Sequence, residues 1–368
     1  RSDADKENSL MRVAGGNSAL KASPSNELRR DVSLITDSTI YRTLPRKTML
    51  APSISHIFHD RGSHSIMVSE IGKEIAERLH LGRASEELVS AISHAHDMSH
   101  LPFSHEGEDA VNETFEPLRI PKFDHDKFLL AVLLKHASHG ISYDGLPLTT
   151  ATIEGVAKRH ELVKNTDGFP SEFIELSKKY DFHLGEFNHI EGQISATSDW
   201  IAGTVSDIQD MIKFYLASDD PEKKTKQFFD ELCKNFPPAK KIYEELLIES
   251  KEEKSWNVRK TWKTTKEQRI PALTKQFCTR LKEHLINNVV DNANGLLEKH
   301  ETKIVHAEDV RNLPELIATP SPELKAQLNN LKEFYHEKIY PEIFANHCDG
   351  KDLVKIVFND YFTGKVQM

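Results

Sequence analysis

A chain of 368 residues, 38% hydrophobic and 29% charged, has the composition of a globular protein that can bury a sizeable core, and no run approaches the ~18–20 apolar residues of a membrane span. A net charge of −9 argues against the molecule as a whole being a nucleic-acid binder. Three widely spaced cysteines in no CxxC pattern argue against a disulfide framework or a thiolate zinc site.

The first residues (RSDADKENSLMRVAGG) lack the apolar stretch of a secretory signal, so the expected compartment is cytoplasmic. Residues 1–30 are polar, carry Gly15-Gly16 and a Ser23-Pro24-Ser25 turn signal, and read as a flexible or partner-held arm. From Asp37, DSTIYRTLPRKTMLAP reads as a helix stopped near Pro45 and then an extended segment, with Arg42, Arg46 and Lys47 as cations suited to phosphate. Over 64–79, His64, Met67, Val68, Ile71, Ile75 and Leu79 share one helical stripe, which places His64 on the buried face. A lone histidine there is more often a hydrogen-bonded core residue than a ligand. The next helix, 85–98, runs Leu88, Val89 and Ile92 towards His96, so a second imidazole points inward beside Asp97. A buried carboxylate is costly unless a cation compensates it.

That helix leads into HAHDMSHLPFSHEGE (94–108), with four histidines, two glutamates and an aspartate. Pro102 ends the helix, and the expected exit is a short loop carrying His100, His105 and Glu108 close to one point. Asp124 is a plausible N-cap for the apolar helix that follows, with His125 and Asp126 in its first turn. Thr149/Thr150 can cap TIEGVAKRH. The helix over 191–212 has one apolar face (Ile194, Ile201, Val205, Ile208, Ile212). A second face holds small residues around Asp199, including Gly192, Ser195, Ala196, Gly203 and Ser206, and admits a neighbouring helix or a ligand. Beyond 221 the chain is lysine-rich and helical, with breaks at Pro237-Pro238 and Pro271, and Leu324, Leu328, Leu331 and Phe334/Tyr335 recur at helical spacing. Residues 251–282 hold ten Lys/Arg against three Asp/Glu, with Trp256 and Trp262 among them. Such a stretch is a solvated helix face or a surface for phosphates and bases. With no repeat, no Gly-rich phosphate loop and no β alternation, the expected fold is all-α.

His64, His96-Asp97 and Asp199 lie on separate helices and form a mixed N/O donor set suited to Mn, Fe(II), Mg or Zn, with positions left for water and phosphate oxygens. This H…HD…D order resembles the His-Asp (HD) metal-dependent phosphohydrolase superfamily. The flanks narrow the likeness to its deoxynucleoside triphosphate triphosphohydrolase (dGTPase-like) branch. Arg61-Gly-Ser-His64-Ser is similar to that family's R-x-x-H-S, and His96-Asp97-Met-Ser-His100-Leu-Pro-Phe-Ser-His105-Glu-Gly-Glu108 to its H-D-x-x-H/N-x-P-F-x-H-x-G-E. Tyr41-Arg-Thr-Leu44 with Lys47-Thr48 resembles F-R-R-L-x-x-K-T, and Leu146-Pro-Leu-Thr149 and Glu191-Gly-Gln-Ile…Asp199 match later helices in order. The resemblance covers residues 28–215 well and the rest loosely.

It implies an HD-domain helical core at 31–215, an arm at 1–30 and further C-terminal helices at 216–368 packing on the core. The implied activity is metal-dependent hydrolysis of dGTP-like deoxynucleoside triphosphates to deoxynucleoside and inorganic triphosphate. By the same resemblance His64, His96, Asp97 and Asp199 hold the cation, with Mn or Mg favoured for activity. His105 with Glu108 transfers the proton, His125 with Asp126 serves the leaving 5′-oxygen, and Arg61 and Lys47 hold phosphate. His100 contacts phosphates or a second metal, and Asp207 reaches the sugar. A homo-oligomer is implied, and a nucleotide effector or single-stranded nucleic acid is the expected partner for 251–282. Three departures bear on the sugar: Met49 stands for the family's glutamine, Gly203 for its tyrosine, and Trp200 for a charged residue. The alternatives are another HD phosphohydrolase, acting on nucleoside monophosphates or signalling nucleotides, and a non-catalytic nucleotide or nucleic-acid sensor.

Overall fold

The computed structural model describes residues 11–12, 23–49, 58–138, 145–159, 162–251, 266–304, 307–344 and 350–362. Among them the regular structure is helical, with two isolated β-bridges, Arg12↔Thr149 and Thr48↔Asp60, and no strand. None of their helices is long and apolar enough to cross a membrane. The all-α expectation holds.

In chain order the helices around the site are α1 (Pro24–Thr36), α2 (Arg61–Arg78), α3 (Arg83–Ala95), α4 (Ser104–Phe115), α5 (His125–Ala131), α6 (Thr150–Ala157), α7 (Ser171–Lys179) and α8 (Ile190–Leu216). After these come α9 (Pro221–Asn235), α10 (Pro237–Lys251), α11 (Lys266–Lys299), α12 (Pro322–Phe334), α13 (Tyr340–Phe344) and α14 (Gly350–Phe362). Asp60, Asp124 and Thr149 cap α2, α5 and α6 by accepting from the backbone N–H three residues on, which gives an acceptor to a donor that a helix start leaves unpaired.

Two apolar cores meet at the site. The first joins the inner faces of α2 and α8 (Val68, Ile71, Ile75, Ile194, Ile201) to the later helices, where Leu324, Leu328, Leu331, Phe334 and Tyr335 are buried as their spacing predicts. The second packs α1, α3, α5 and α6 through Leu88, Ile92, Met98, Leu129 and Ile153. Helix α3 divides its residues between them, giving Val89 to one and Leu88 and Ile92 to the other. At Gly72 a Cβ would run into Val89 and press on Ser198 Oγ at 3.2 Å, so the missing side chain lets α2, α3 and α8 converge.

Several expectations need correction. The expected helix near Pro45 is a short 3-10 turn, Tyr41–Arg46, because α1 already ends at Thr36. Helix α3 ends at Ala95, before the proline, and His96 is its C-cap. His105 and Glu108 lie on a helix, α4, and not on a loop. The chain enters α4 through left-handed Phe103 and Ser104 (φ 67° and 56°), a conformation that L-residues disfavour. Pro271 lies inside α11 near its start instead of breaking a helix. Within the stretch read as an arm, α1 begins at Pro24, and Arg12 is buried, with Nη1 2.8 Å from Asp31 Oδ1. Trp256 and Trp262, and most of the basic stretch before 266, lie outside the described residues.

Candidate active site

His64 comes from the first turn of α2, His96 and Asp97 from the end of α3, and Asp199 from the third turn of α8. His64, His96 and Asp97 are buried and offer ligand atoms all within 4.8 Å of one another. Asp199 joins them: its Oδ1 lies 2.8 Å from His64 Nε2 and 3.4 Å from His96 Nε2, while Asp97 Oδ1 is 3.3 Å from His96 Nε2. Donors ~2.1 Å from a shared cation stand about 3 Å apart, so the spacing is that of a coordination shell.

The chemistry of the donors agrees. His96 Nδ1 donates to the Ser93 carbonyl at 2.6 Å, which fixes the tautomer and leaves Nε2 as the lone-pair atom when the ring is neutral. That Nε2 is buried without a hydrogen-bond partner and faces two carboxylate oxygens. Three acceptors around one point require a cation or a proton. Among the chain's own groups His64 takes part of that role. Burial works to lower its pKa, but the Asp199 hydrogen bond and the Asp199 and Asp97 charges outweigh it and raise it. For Asp97 and Asp199 burial works upward, yet the surrounding imidazoles and arginines hold both carboxyls well below the usual range.

A second group borders this centre. Glu108 on α4 accepts from His125 Nδ1 at 2.7 Å, so the structure joins Glu108 to His125. The side chain of His105 lies outside the described residues. Asp126 Oδ1 is 3.7 Å from His125 Nε2. The His125 ring stacks on His100 with centroids 3.9 Å apart, and His100 Nε2 is 3.2 Å from Asp97 Oδ1. His100 is therefore a buried bridge between the two groups. Burial works to lower the His125 pKa, and the Glu108 hydrogen bond with the nearby acidic charges raises it overall.

Arg61 Nη1 lies 2.9 Å from Asp97 Oδ2, and its Nη2 donates to Ser104 Oγ at 2.7 Å. Lys47 donates to the His100 carbonyl at 2.6 Å, and burial, helped by Arg61, pushes its pKa down to about 8. Asp207, two turns beyond Asp199 on α8, accepts from Tyr340 at 3.3 Å. Two contacts escaped the sequence reading. Tyr340 reaches Asp207 from the far end of the chain, and Arg159 pairs with Asp199 Oδ2. The only sequence signal for Arg159 is the Lys158-Arg159 pair closing TIEGVAKRH. Both lie just past the end of α6, where Lys158 turns back to Glu154 while Arg159 enters the site.

The fold and the donor set define an HD-type centre, and the sequence model of the HD domain matches residues 61–185. The chain thus carries an HD domain over these residues, within an all-helical fold, and a His/Asp group suited to a divalent metal. Its distant homologues carry the name deoxyguanosinetriphosphate triphosphohydrolase-like protein. The one from Agrobacterium fabrum is 26% identical over 93% of this chain and 79% of its own length. Those from Bartonella tribocorum and Mesorhizobium japonicum are each 28% identical over 91% of this chain and 77% of theirs.

Proposed function

We propose that the protein hydrolyses deoxynucleoside triphosphates to deoxynucleoside and inorganic triphosphate, with a divalent cation, Mn²⁺ or Mg²⁺, held by His64, His96, Asp97 and Asp199. The observation that carries this reading is the unpartnered His96 Nε2 facing Asp97 and Asp199 oxygens. The names of the distant homologues supply the substrate class. When bound, the cation would withdraw charge from the α-phosphate and acidify water.

The chain's own groups do the rest. Arg61 and Lys47 bind and orient the phosphates beside Asp97. Glu108 fixes His125 by its Nδ1 and favours the charged imidazole, leaving Nε2 to move a proton. As a water oxygen bonds to the α-phosphorus and the bond from phosphorus to the 5′-oxygen breaks, His125 hands a proton to the departing 5′-oxygen. Asp126 accompanies it, and His105 belongs to the same reading through its place on α4. His100 couples this dyad to Asp97. Asp207, with Tyr340 behind it, faces the sugar.

The test is product analysis. Each dNTP and NTP is incubated separately with Mn²⁺ and the products are resolved. Triphosphate plus nucleoside supports the reading. Orthophosphate or a linear nucleotide would assign the centre to a different HD phosphohydrolase. No turnover of any substrate, with His96→Ala indistinguishable from the parent, would leave a non-catalytic sensor.

A further inference from the structure

Each candidate metal aspartate divides its oxygens between the centre and an arginine. Asp97 turns Oδ1 to His96 and Oδ2 to Arg61; Asp199 turns Oδ1 to His64 and His96 and Oδ2 to Arg159. The two arginine side chains are only 4% and 7% exposed, and in both the Nε is buried without a hydrogen-bond partner. A buried donor without an acceptor is costly, and guanidinium N–H groups meet phosphate oxygens in pairs. Two such groups flanking one centre are a donor set for an anion with several oxygens.

Arg159 also lines a cavity of about 340 Å³ bounded by the first turn of α5, the end of α6 and the 162–169 segment. That volume lies in the range of small-molecule sites. Lys127 and Lys164 add positive charge to its wall. Its acidic residues are Asp124 and Asp126, 46% and 45% exposed, and the exposed Asp167, so their charge is screened by solvent, whereas the Arg159 charge is held away from water.

We propose that Arg159 is a second phosphate clamp opposite Arg61, and that the cavity it lines takes the outer phosphates of a nucleoside polyphosphate. Arg61 then holds the chain on the Asp97 side and Arg159 on the Asp199 side, with the reacting phosphorus between them. The half-exposed carboxylates suit an anion that travels with a divalent counter-ion. This inference rests on the reading of the centre as nucleotide-hydrolysing, and its test separates the two because it needs no turnover.

The probe is inorganic tripolyphosphate, titrated calorimetrically into the full-length protein with excess Mg²⁺, while bound Mn is measured separately by elemental analysis. The wild type binds tripolyphosphate more tightly than orthophosphate. Arg159→Gln weakens tripolyphosphate by about tenfold, the loss of one charge-assisted pair, keeps its metal, and is partly rescued by Arg159→Lys. Lys164→Gln, on the exposed rim, weakens it about threefold. Wild-type affinity in both Arg159→Gln and Lys164→Gln overturns the proposal, as does a wild type that does not bind tripolyphosphate. Loss of metal together with tripolyphosphate in Arg159→Gln, with Lys164→Gln unchanged, reduces Arg159 to a prop for Asp199 and also overturns it. If Arg159→Gln does not fold, Lys164→Gln and Lys127→Gln decide: weaker binding supports the clamp and unchanged binding overturns it.

Discussion

Asp199 and Asp207 stand two turns apart on one face of α8, yet their carboxyls behave in opposite ways. Burial works against the charge on both. Around Asp199 it is overcome by Arg159, His96 and His64, and the group is held well below its ordinary range. Around Asp207 burial is reinforced by Asp210 and opposed only by the Tyr340 hydroxyl and His64, and the group is pushed up to about 7. Burial alone therefore does not decide whether a carboxylate is ionised; the cationic and imidazole neighbours do. The same helix can carry an ionised donor at one point and a proton-holding polar group two turns later.

Asp199→Asn is expected to lose the bound metal and to lower kcat by at least about a hundredfold, since even residues supporting a metal ligand cost 10–100-fold. Asp207→Asn keeps the metal. Elemental analysis of the two purified variants checks this, and equal metal content would erase the distinction. One step out, Glu108→Gln removes the partner that charges His125. It is expected to cut kcat by about 10²-fold, the low end for a general acid or base, with metal content unchanged. If Glu108→Gln loses metal as well, the dyad is part of the coordination sphere and not a separate proton-transfer group.

Much of this contrast was readable in the residue order, and the unread part has a physical pattern. The stripes through His64 and His96 placed both imidazoles inward, because helical periodicity reports burial. Contacts between elements were not readable. The hydrogen bond between Glu108 and His125 joins two successive helices, and nothing in the residue order announces it. Arg159 and Tyr340 reach α8 from 40 and 133 residues away along the chain. Within the densest histidine run, His94 hydrogen-bonds Tyr41 at 2.8 Å, and burial drives its pKa down to about 4. The end of α3 at Ala95 was also illegible, because the chain turns to present His96 and Asp97 before Pro102 could stop it.

A pH series sharpens the Asp207 side. A carboxyl whose pKa is raised on folding favours the native state while protonated. Its contribution is full below the ordinary 3.8 and is lost as pH rises through about 7. Asp207→Asn cannot ionise, so its thermal midpoint should gain on the wild type by a few degrees as pH rises across that window, and the gain should level off above it. A difference in midpoint that stays constant from pH 4 to 8 would show that Asp207 is ionised in the folded protein like Asp199.

The smallest expected effect concerns the space between the two aspartates. Gly203 lies one turn from each on the same face, and a Cβ built there meets nothing within 4 Å. Gly203→Tyr should therefore be accommodated, and replacing a glycine in a helix interior favours the helix by a few tenths of a kcal/mol. If the sugar of the substrate lies over this position, with Asp207 reaching it from one side, the ring would occupy the room beside the ribose 2′ carbon. The kcat/KM for ribonucleoside triphosphates should then fall about threefold to tenfold relative to that for the matching deoxynucleoside triphosphates. Measuring the ratio cancels any general change in activity. A variant that folds, keeps its metal and shows the wild-type ratio would move the sugar away from Gly203 and leave Asp207 as a structural partner of Tyr340.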